Sequence, residues 1–174
     1  MKKGIKRFLG IVLAMVMVLS MSISAFAADT DVSVTVTLNA VADGTHPALS
    51  GETTVYVAPG TDVETIVKEA LPKLNLNITQ GYWKVVPDWQ DPTITYNAID
   101  GLYIGGTGES NLFYQGAAYE SDTAYYGVGW TYSGKDGETT LNENNYMSQN
   151  TINNDGSRVI LSYANYYYPK AASK

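Results

Sequence analysis

The chain offers few side chains that could act as a nucleophile or a base. His46 is its only histidine, and it has no cysteine. His46 lies beside Pro47 in a Gly-rich loop, without the sequence context that a Ser-His-acid triad requires. Zinc is not expected either, because a zinc site needs several His or Cys ligands. We therefore interpret His46 as an incidental loop residue and predict that His46→Ala leaves function unchanged.

Paired carboxylates are the remaining route to catalysis, because a glycosidase uses one carboxyl group as an acid and a second as a base or nucleophile. Six acidic residues could be neighbours in the fold: Asp88, Asp91, Asp100, Glu109, Glu120 and Asp122. An acidic surface in contact with solvent also accounts for them, and we favour that explanation. The sequence therefore predicts a protein that is not an enzyme, with a glycan hydrolase as a minor alternative.

A calcium site is a further alternative, because oxygen ligands alone can bind Ca²⁺. Asparagines and acidic residues crowd the segment 142–155. Their spacing does not follow the EF-hand loop, and Asn154-Asp155-Gly156 is typical of a turn. We favour turns over a metal site, and we predict that a chelator leaves the melting temperature nearly unchanged.

The most concentrated chemical feature is aromatic. All three tryptophans and thirteen of the fourteen tyrosines lie between Tyr82 and Tyr168. Aromatic rings stack on sugars, planar ligands and partner proteins, but a β-rich chain also uses them to pack its sheets. The candidate ligand-binding residues are Trp83, Trp89, Tyr103, Tyr114, Tyr119, Trp130 and Tyr132. Of these, we expect Trp89 to be exposed in a loop and Trp130, within a strand, to contribute to the core.

The first 27 residues predict export. Four basic residues precede the apolar stretch Phe8 to Met21, and Ala25-Phe26-Ala27 has the small-x-small pattern of a signal-peptide cleavage site. The apolar stretch is shorter than the ~20 residues that a spanning helix needs. We therefore predict a protein secreted by a Gram-positive bacterium, without stable membrane insertion.

Cleavage of that segment would sharpen the charge imbalance. It removes four of the 11 Lys and Arg residues and leaves seven against 17 Asp and Glu, a net charge of −10. Such a chain repels nucleic acid and anionic lipid, so neither is an expected partner. Residues 28–174 suit a single domain, and without disulfides its stability must come from packing and strand pairing.

The apolar pattern predicts the elements that would position the aromatic residues. Val32 to Leu38 alternates as a strand with one buried face, and Thr53 to Val57 could pair with it as a hairpin. Thr61 stands three residues before Glu64 in a capping box, which opens a helix that Pro72 stops. The apolar positions of this helix are Val63, Ile66, Val67, Ala70 and Leu71. Short strand-like runs follow at Tyr82 to Val86, Thr93 to Ala98, Gly129 to Tyr132 and Arg158 to Tyr167.

A hairpin, a helix and then further strands predict an α+β fold of the β-grasp-like (ubiquitin-like) type, in which one helix covers a mixed sheet. We expect the last strand to lie centrally and to pair in parallel with the first. The stretch Leu102 to Val128 is rich in glycine and aromatic residues, so we interpret it as a long insertion that forms a loop or an irregular hairpin on the surface.

Four segments in this order resemble a known family. They are Val57-Ala58-Pro59-Gly60-Thr61, Thr95-Tyr96-Asn97-Ala98-Ile99-Asp100-Gly101, Gly129-Trp130-Thr131-Tyr132 and Asn154-Asp155-Gly156-Ser157-Arg158-Val159-Ile160-Leu161-Ser162-Tyr163. Together they resemble the bacterial exported domain of unknown function 4430, which is similar to the C-terminal domain of transcobalamin and intrinsic factor. The resemblance covers most of Val32 to Tyr163, and it implies a β-grasp-like fold and no catalysis. The Leu102 to Val128 stretch departs from the family pattern.

The expected function is that of a secreted, non-enzymatic binding module, with a cell-surface protein or a glycan as its partner. The resemblance implies an alternative, the binding of a corrinoid (cobalamin) or another small cofactor. Transcobalamin encloses its corrinoid with a second, helical domain, and good small-molecule sites bury ~70–90% of the ligand. Corrinoid binding is therefore the alternative only, and a separate partner chain could complete such a site.

Overall fold

The computed structural model describes residues 30–42, 46–88 and 90–170. Within these residues the strands are β1 (Val32–Ala40), β2 (Leu49–Val57), β3 (Thr61–Asp62), β4 (Ile78–Pro87), β5 (Thr95–Ile104), β6 (Leu112–Phe113), β7 (Ala117–Glu120), β8 (Ala124–Asp136), β9 (Thr139–Thr140), β10 (Thr151–Ile152) and β11 (Ser157–Pro169). The helix α1 is Val63–Ala70, and short 3-10 helices are Leu71–Lys73, Glu109–Asn111 and Met147–Gln149. The predicted signal peptide and Trp89 lie outside the described residues.

The main sheet places the last strand beside the first. Its order is β2-β1-β11-β8-β7, and the short β9 pairs with β8. β1 is antiparallel to β2 and parallel to β11, with Val36 opposite Val159 and Leu38 opposite Leu161. β11 is antiparallel to β8 on its other side. The predicted α+β class and the predicted parallel pairing of the first and last strands are confirmed.

The helix covers this sheet, as the apolar spacing predicted. Val63, Ile66, Val67 and Leu71 are fully buried, and α1 contacts β1 and β2. The alternate residues Val32, Val34, Val36 and Leu38 of β1 supply the facing side of the core. A strand sends successive side chains to opposite faces, so this alternation buries one face of β1 completely.

The predicted capping box at Thr61 and Glu64 is wrong. The N-cap is Asp62, whose Oδ1 accepts a hydrogen bond from the backbone N–H of Thr65 at 2.9 Å. The hydroxyl of Thr61 instead donates to the carbonyl of Ala58 at 2.6 Å. Glu64 therefore takes no part in the cap, and its side chain is buried.

The Leu102 to Val128 stretch is more regular than a surface loop. It contributes the end of β5, all of β6 and β7, and the beginning of β8. Leu102 is fully buried and Tyr114 is 2% exposed, so part of this stretch belongs to the core. The expected hairpin is present where β7 pairs with β8, but the expectation that the whole stretch lies on the surface is wrong. A second sheet, of order β4-β5-β6, includes the first part of it.

Three strands continue past the end of β1. β1 pairs with β11 only as far as Tyr163, whereas β8 pairs with β11 up to Pro169. β7 pairs with the first part of β8 on the other side. We call these paired segments of β7, β8 and β11 the sheet extension. Among the described residues, no helix is long and apolar enough to cross a membrane.

Candidate functional site

The sheet extension forms one wall of a cleft of about 550 Å³. The rest of its lining comes from Tyr163, from His46 and from the segment 112–115, which includes β6. The aromatic residues that line it are His46, Phe113, Tyr114, Tyr119, Tyr126, Tyr163 and Tyr166, and we call it the tyrosine cleft. Gln115 and Asn165 add side-chain amides, and the cleft is open to solvent.

Two buried tyrosines fix the inner part of the cleft. Tyr114 and Tyr163 are each 2% exposed, and their rings meet edge to face with centroids 5.6 Å apart. The Tyr163 hydroxyl donates to the carbonyl of Gln115, and the Tyr114 hydroxyl donates to the carbonyl of Pro47, both at 2.7 Å. Buried hydroxyls that are satisfied in this way hold the rings in one position. These two residues therefore give the cleft its shape.

Trp130 supports the same region from β8. Its indole Nε1 donates to the carbonyl of Tyr114 at 2.8 Å, and its ring lies 5.1 Å from that of Tyr163. Tyr114 has a left-handed backbone, with φ of 54°. That conformation is unfavourable for a bulky residue, and the hydrogen bonds to Tyr114 help to maintain it. The expected core role of Trp130 agrees with its half-buried position.

Three exposed tyrosines form a row across the sheet extension. Tyr126 of β8 lies opposite Tyr119 of β7 on one side and Tyr167 of β11 on the other. Residues directly opposite in antiparallel strands share a face, so the three side chains point the same way. Their exposed fractions are 58% for Tyr119, 42% for Tyr126 and 65% for Tyr167. We call these three residues the tyrosine row.

The row belongs to the face that forms the cleft. Along β11, the buried Val159, Leu161 and Tyr163 alternate with residues on the opposite face, so Tyr167 lies on the buried residues' side. The rings of Tyr119 and Tyr126 are stacked, with centroids 5.6 Å apart and planes 24° apart. The row therefore extends the aromatic lining of the cleft toward solvent.

His46 is part of the cleft wall. Its ring lies 4.3 Å from that of Phe113 and 5.7 Å from that of Tyr114. No carboxylate belongs to the described residues that line the cleft. The cleft can therefore stack against a ligand and exchange hydrogen bonds with it, but these lining residues do not supply a carboxylate pair for acid–base chemistry.

Most of the carboxylates considered for catalysis have structural partners. Asp100 lies 2.5 Å from the ammonium nitrogen of Lys84, and Glu120 lies 2.6 Å from that of Lys170. The hydrogen bond that Lys170 donates to Glu120 lowers the pKa of Glu120, and the one that Lys84 donates to Asp100 raises the pKa of Lys84. Asp88 and Asp91 accept backbone hydrogen bonds within the turn that connects β4 and β5.

The structure separates the residues predicted to bind a ligand. Tyr114 and Tyr119 line the tyrosine cleft. Trp83 and Tyr103 line a depression beside Lys68 and Tyr82, and Trp130 and Tyr132 line another beside Tyr146. Trp89 is outside the described residues. The predicted set therefore does not form one surface.

The depression at Tyr132 is bounded by the Asn-rich segment. The Tyr132 hydroxyl donates to the carbonyl of Asn145 at 2.7 Å and accepts a hydrogen bond from the side chain of Asn150. Burial raises the pKa of Tyr132, although the hydrogen bond from Asn150 opposes this. Asn142 bonds to the side chains of both Asn145 and Asn150. Among the described residues, no group of three or more His, Cys, Asp or Glu side chains could hold a metal ion.

Sequence reasoning missed the contribution of β11 to the cleft. The candidate binding residues predicted from the sequence do not include Tyr126, Tyr163, Tyr166 or Tyr167. The alternation along β11 puts Tyr163 and Tyr167 on one face, which is a signal present in the sequence. Their pairing with β8 depends on register, which the sequence does not show.

No protein-family model matches the chain, and a comparison with curated proteins finds no significant match. The resemblance to the exported domain stays a prediction. The function must therefore be inferred from the geometry of the cleft.

Proposed function

We propose that the protein is a secreted, non-enzymatic binding module of a bacterial cell surface, and that it binds a glycan in the tyrosine cleft. The observation that carries this proposal is the tyrosine row, in which three neighbouring rings are exposed on paired strands. Rings that served only to pack the sheet would be buried, as Tyr114 and Tyr163 are.

The chemistry of the cleft suits a sugar. The exposed faces of Tyr119 and Tyr126 can stack on the apolar face of a pyranose ring, and their hydroxyls can bond to the sugar at little entropic cost. Gln115 and Asn165 each carry a donor and an acceptor group for sugar hydroxyls. The volume of about 550 Å³ falls within the range of ~300–1,000 Å³ that is common for ligand sites.

The proposed fold type is the β-grasp. The parallel pair of β1 and β11, the antiparallel β2 and the helix α1 across β1 and β2 support it. In this arrangement the sheet extension is an addition beyond the β1 edge, and it carries the proposed site. Export from a Gram-positive bacterium belongs to the same proposal, and its support is the N-terminal sequence pattern.

The test is a titration of the protein with soluble peptidoglycan fragments and cell-wall polysaccharides, followed by calorimetry. We expect Tyr126→Ala to lower the affinity for the bound glycan by about 30-fold, since a central aromatic residue contributes ~2 kcal/mol or more. The matched control is Tyr56→Ala, because Tyr56 is also exposed but lies on β2. Equal affinities in wild type and Tyr126→Ala would reject the cleft as the site.

Cobalamin is titrated in the same way, because corrinoid binding is the alternative function that the family resemblance implies. If the chain alone bound cobalamin tightly and bound none of the glycans, a glycan would be rejected as the ligand. Trp89→Ala tests whether that tryptophan contributes, as the sequence analysis predicted.

A further inference from the structure

Glu64 is a buried carboxylate that contacts a lysine and an asparagine through the same oxygen. The side chain is 8% exposed. Its Oε1 lies 2.5 Å from Nζ of Lys68, one turn further along α1. The same Oε1 accepts a hydrogen bond of 2.8 Å from Nδ2 of Asn97, which lies on β5. The two nitrogens can therefore be no farther apart than the sum of these two distances.

Lys68 is held at this position from a second side. Its Nζ lies 4.9 Å from the centroid of the Trp83 ring, on β4. A cation over an aromatic face is attracted to it, and the ring also shields that side of the lysine from water. The Lys68 side chain remains 45% exposed, and Asn97 is only half-buried, so ammonia released from Asn97 would have a path to solvent.

We propose that Lys68 and Asn97 become joined by an amide bond, with Glu64 as the base. The amine of Lys68 attacks Cγ of Asn97, forming one C–N bond, and the Cγ–Nδ2 bond then breaks. Nζ loses two of its three protons, one before and one after the attack. Glu64 carries both to Nδ2, which leaves as ammonium. The charge is conserved, and the step needs no oxidant, reductant or cofactor.

The geometry provides the base that this reaction requires. A general base must lie within hydrogen-bond reach of the proton that it removes, and Glu64 lies within reach of both nitrogens. Reactants held side by side react far faster than the same groups in solution. Burial of Glu64 keeps competing water away from its carboxylate. The product would tie α1 covalently to β5 in a chain that has no disulfide.

An ordinary helix ion pair is the competing explanation, and α1 provides an internal comparison. Lys73 pairs with Glu69 at the same spacing, at 2.6 Å, and both side chains are at least 40% exposed. Among the described residues, neither side chain of this pair has a hydrogen bond to an asparagine. Lys73 is therefore a matched control for Lys68.

The test is peptide mapping by mass spectrometry of the folded full chain after digestion. We expect a branched peptide that contains both Lys68 and Asn97 and is lighter by one ammonia than its two linear parts. Lys68→Arg and Asn97→Ala should abolish it, whereas Lys73→Arg should keep it. Glu64→Gln should leave Lys68 and Asn97 unlinked although both are present.

The wild-type chain decides the question even where a variant fails to fold. Linear peptides with unmodified Lys68 and Asn97, and no branched peptide, would overturn the proposal. So would a branched peptide that persists in Glu64→Gln, because the bond would then form without the base. A hydrogen-bonded ion pair cannot produce the mass difference.

Discussion

At the scale of single residues, Asp136 at the end of β8 holds the beginning of β11 in place. Its Oδ1 accepts hydrogen bonds from the backbone N–H of Asn153 at 3.0 Å and of Asn154 at 2.7 Å, and from the hydroxyl of Ser157 at 3.2 Å. Ser157 is fully buried and donates to the carbonyl of Asn154 as well. Burial acts to raise the pKa of Asp136, but the hydrogen bonds together outweigh it and lower the pKa.

Replacing Asp136 with alanine should destabilise the domain. The change removes the acceptor for two backbone N–H groups, so we expect a loss of about 1–3 kcal/mol in the free energy of unfolding. Urea unfolding measures it. The control is Asp122→Ala. Asp122 is exposed in the β7–β8 turn, so its replacement should change the stability little. Equal stability of Asp136→Ala and wild type would contradict this role.

The sequence predicted the turn at Asn154-Asp155-Gly156 from residue types but not the groups that fix it. Asp155 accepts hydrogen bonds from both the backbone N–H and the hydroxyl of Ser33, and Asp136 approaches the same turn from β8. These partners are far apart along the chain. The preference of Asn, Asp and Gly for turns is local and visible in sequence, whereas such pairings depend on the fold.

At the scale of elements, the sheet extension depends on a close approach at Gly127. A Cβ atom at this position would overlap the carbonyl oxygen of Ala117 in β7 and would lie 2.7 Å from the hydroxyl of Tyr166. We expect Gly127→Ala to separate β7 from β8, which would speed the hydrogen exchange of the Tyr119 amide and weaken glycan binding. The amides of β1 should keep their protection, because the main core is not involved.

The control for Gly127→Ala is Gly129→Ala in the same strand. A Cβ atom there would lie 3.5 Å from Cε1 of Tyr166, an ordinary van der Waals contact. Gly129→Ala should therefore leave the exchange of Tyr119 unchanged. Similar exchange in the two variants would show that the approach of β7 does not require glycine at position 127.

The helix α1 should tolerate no charge at Ile66. This residue is fully buried against the sheet, and an unpaired carboxylate there costs several kcal/mol against a typical stability of ~5–15 kcal/mol. Ile66→Asp should therefore unfold the domain, as measured by circular dichroism. Ile66→Leu, which conserves volume, should remain folded. A folded Ile66→Asp variant would contradict the position of α1 over the core.

The elements with a clear hydrophobic periodicity could be predicted from the sequence, whereas the tyrosine-rich strands β8 and β11 could not. Alternation predicted Val32 to Leu38, which is nearly all of β1, and helical spacing located α1. The run Gly129 to Tyr132 predicted only the middle of β8, which extends over thirteen residues. Tyrosine occurs on both faces of β8 and β11, so the contrast between buried and exposed faces that reveals a strand is lost. For the same reason the cleft residues of β11 escaped prediction.

At the scale of the whole molecule, carboxylates outnumber basic groups, and several stabilise the fold in their ionised form. The pKa values of Asp91, Glu120 and Asp155 are lowered, in each case chiefly by a hydrogen bond from a side chain: Thr93, Lys170 and Ser33 respectively. The pKa of Asp136 is lowered as well. Exposed members of this set are screened by salt, so their joint effect should weaken at high ionic strength.

The sign of these shifts predicts loss of stability in acid. A carboxyl group whose pKa is lower in the folded state stabilises the fold above its unfolded pKa, which is about 3.9 for Asp and 4.3 for Glu. That contribution is lost as the pH falls through the folded pKa. We therefore expect a nearly constant free energy of unfolding from neutral pH to about pH 5, and a decline below about pH 4. Urea titrations at fixed ionic strength measure it.

The free energy of unfolding of Asp136→Ala should decline less steeply with falling pH than that of wild type, because one of the groups that become protonated is gone. A stability that rose on acidification would instead mean that repulsion among the excess carboxylates dominates over their hydrogen bonds.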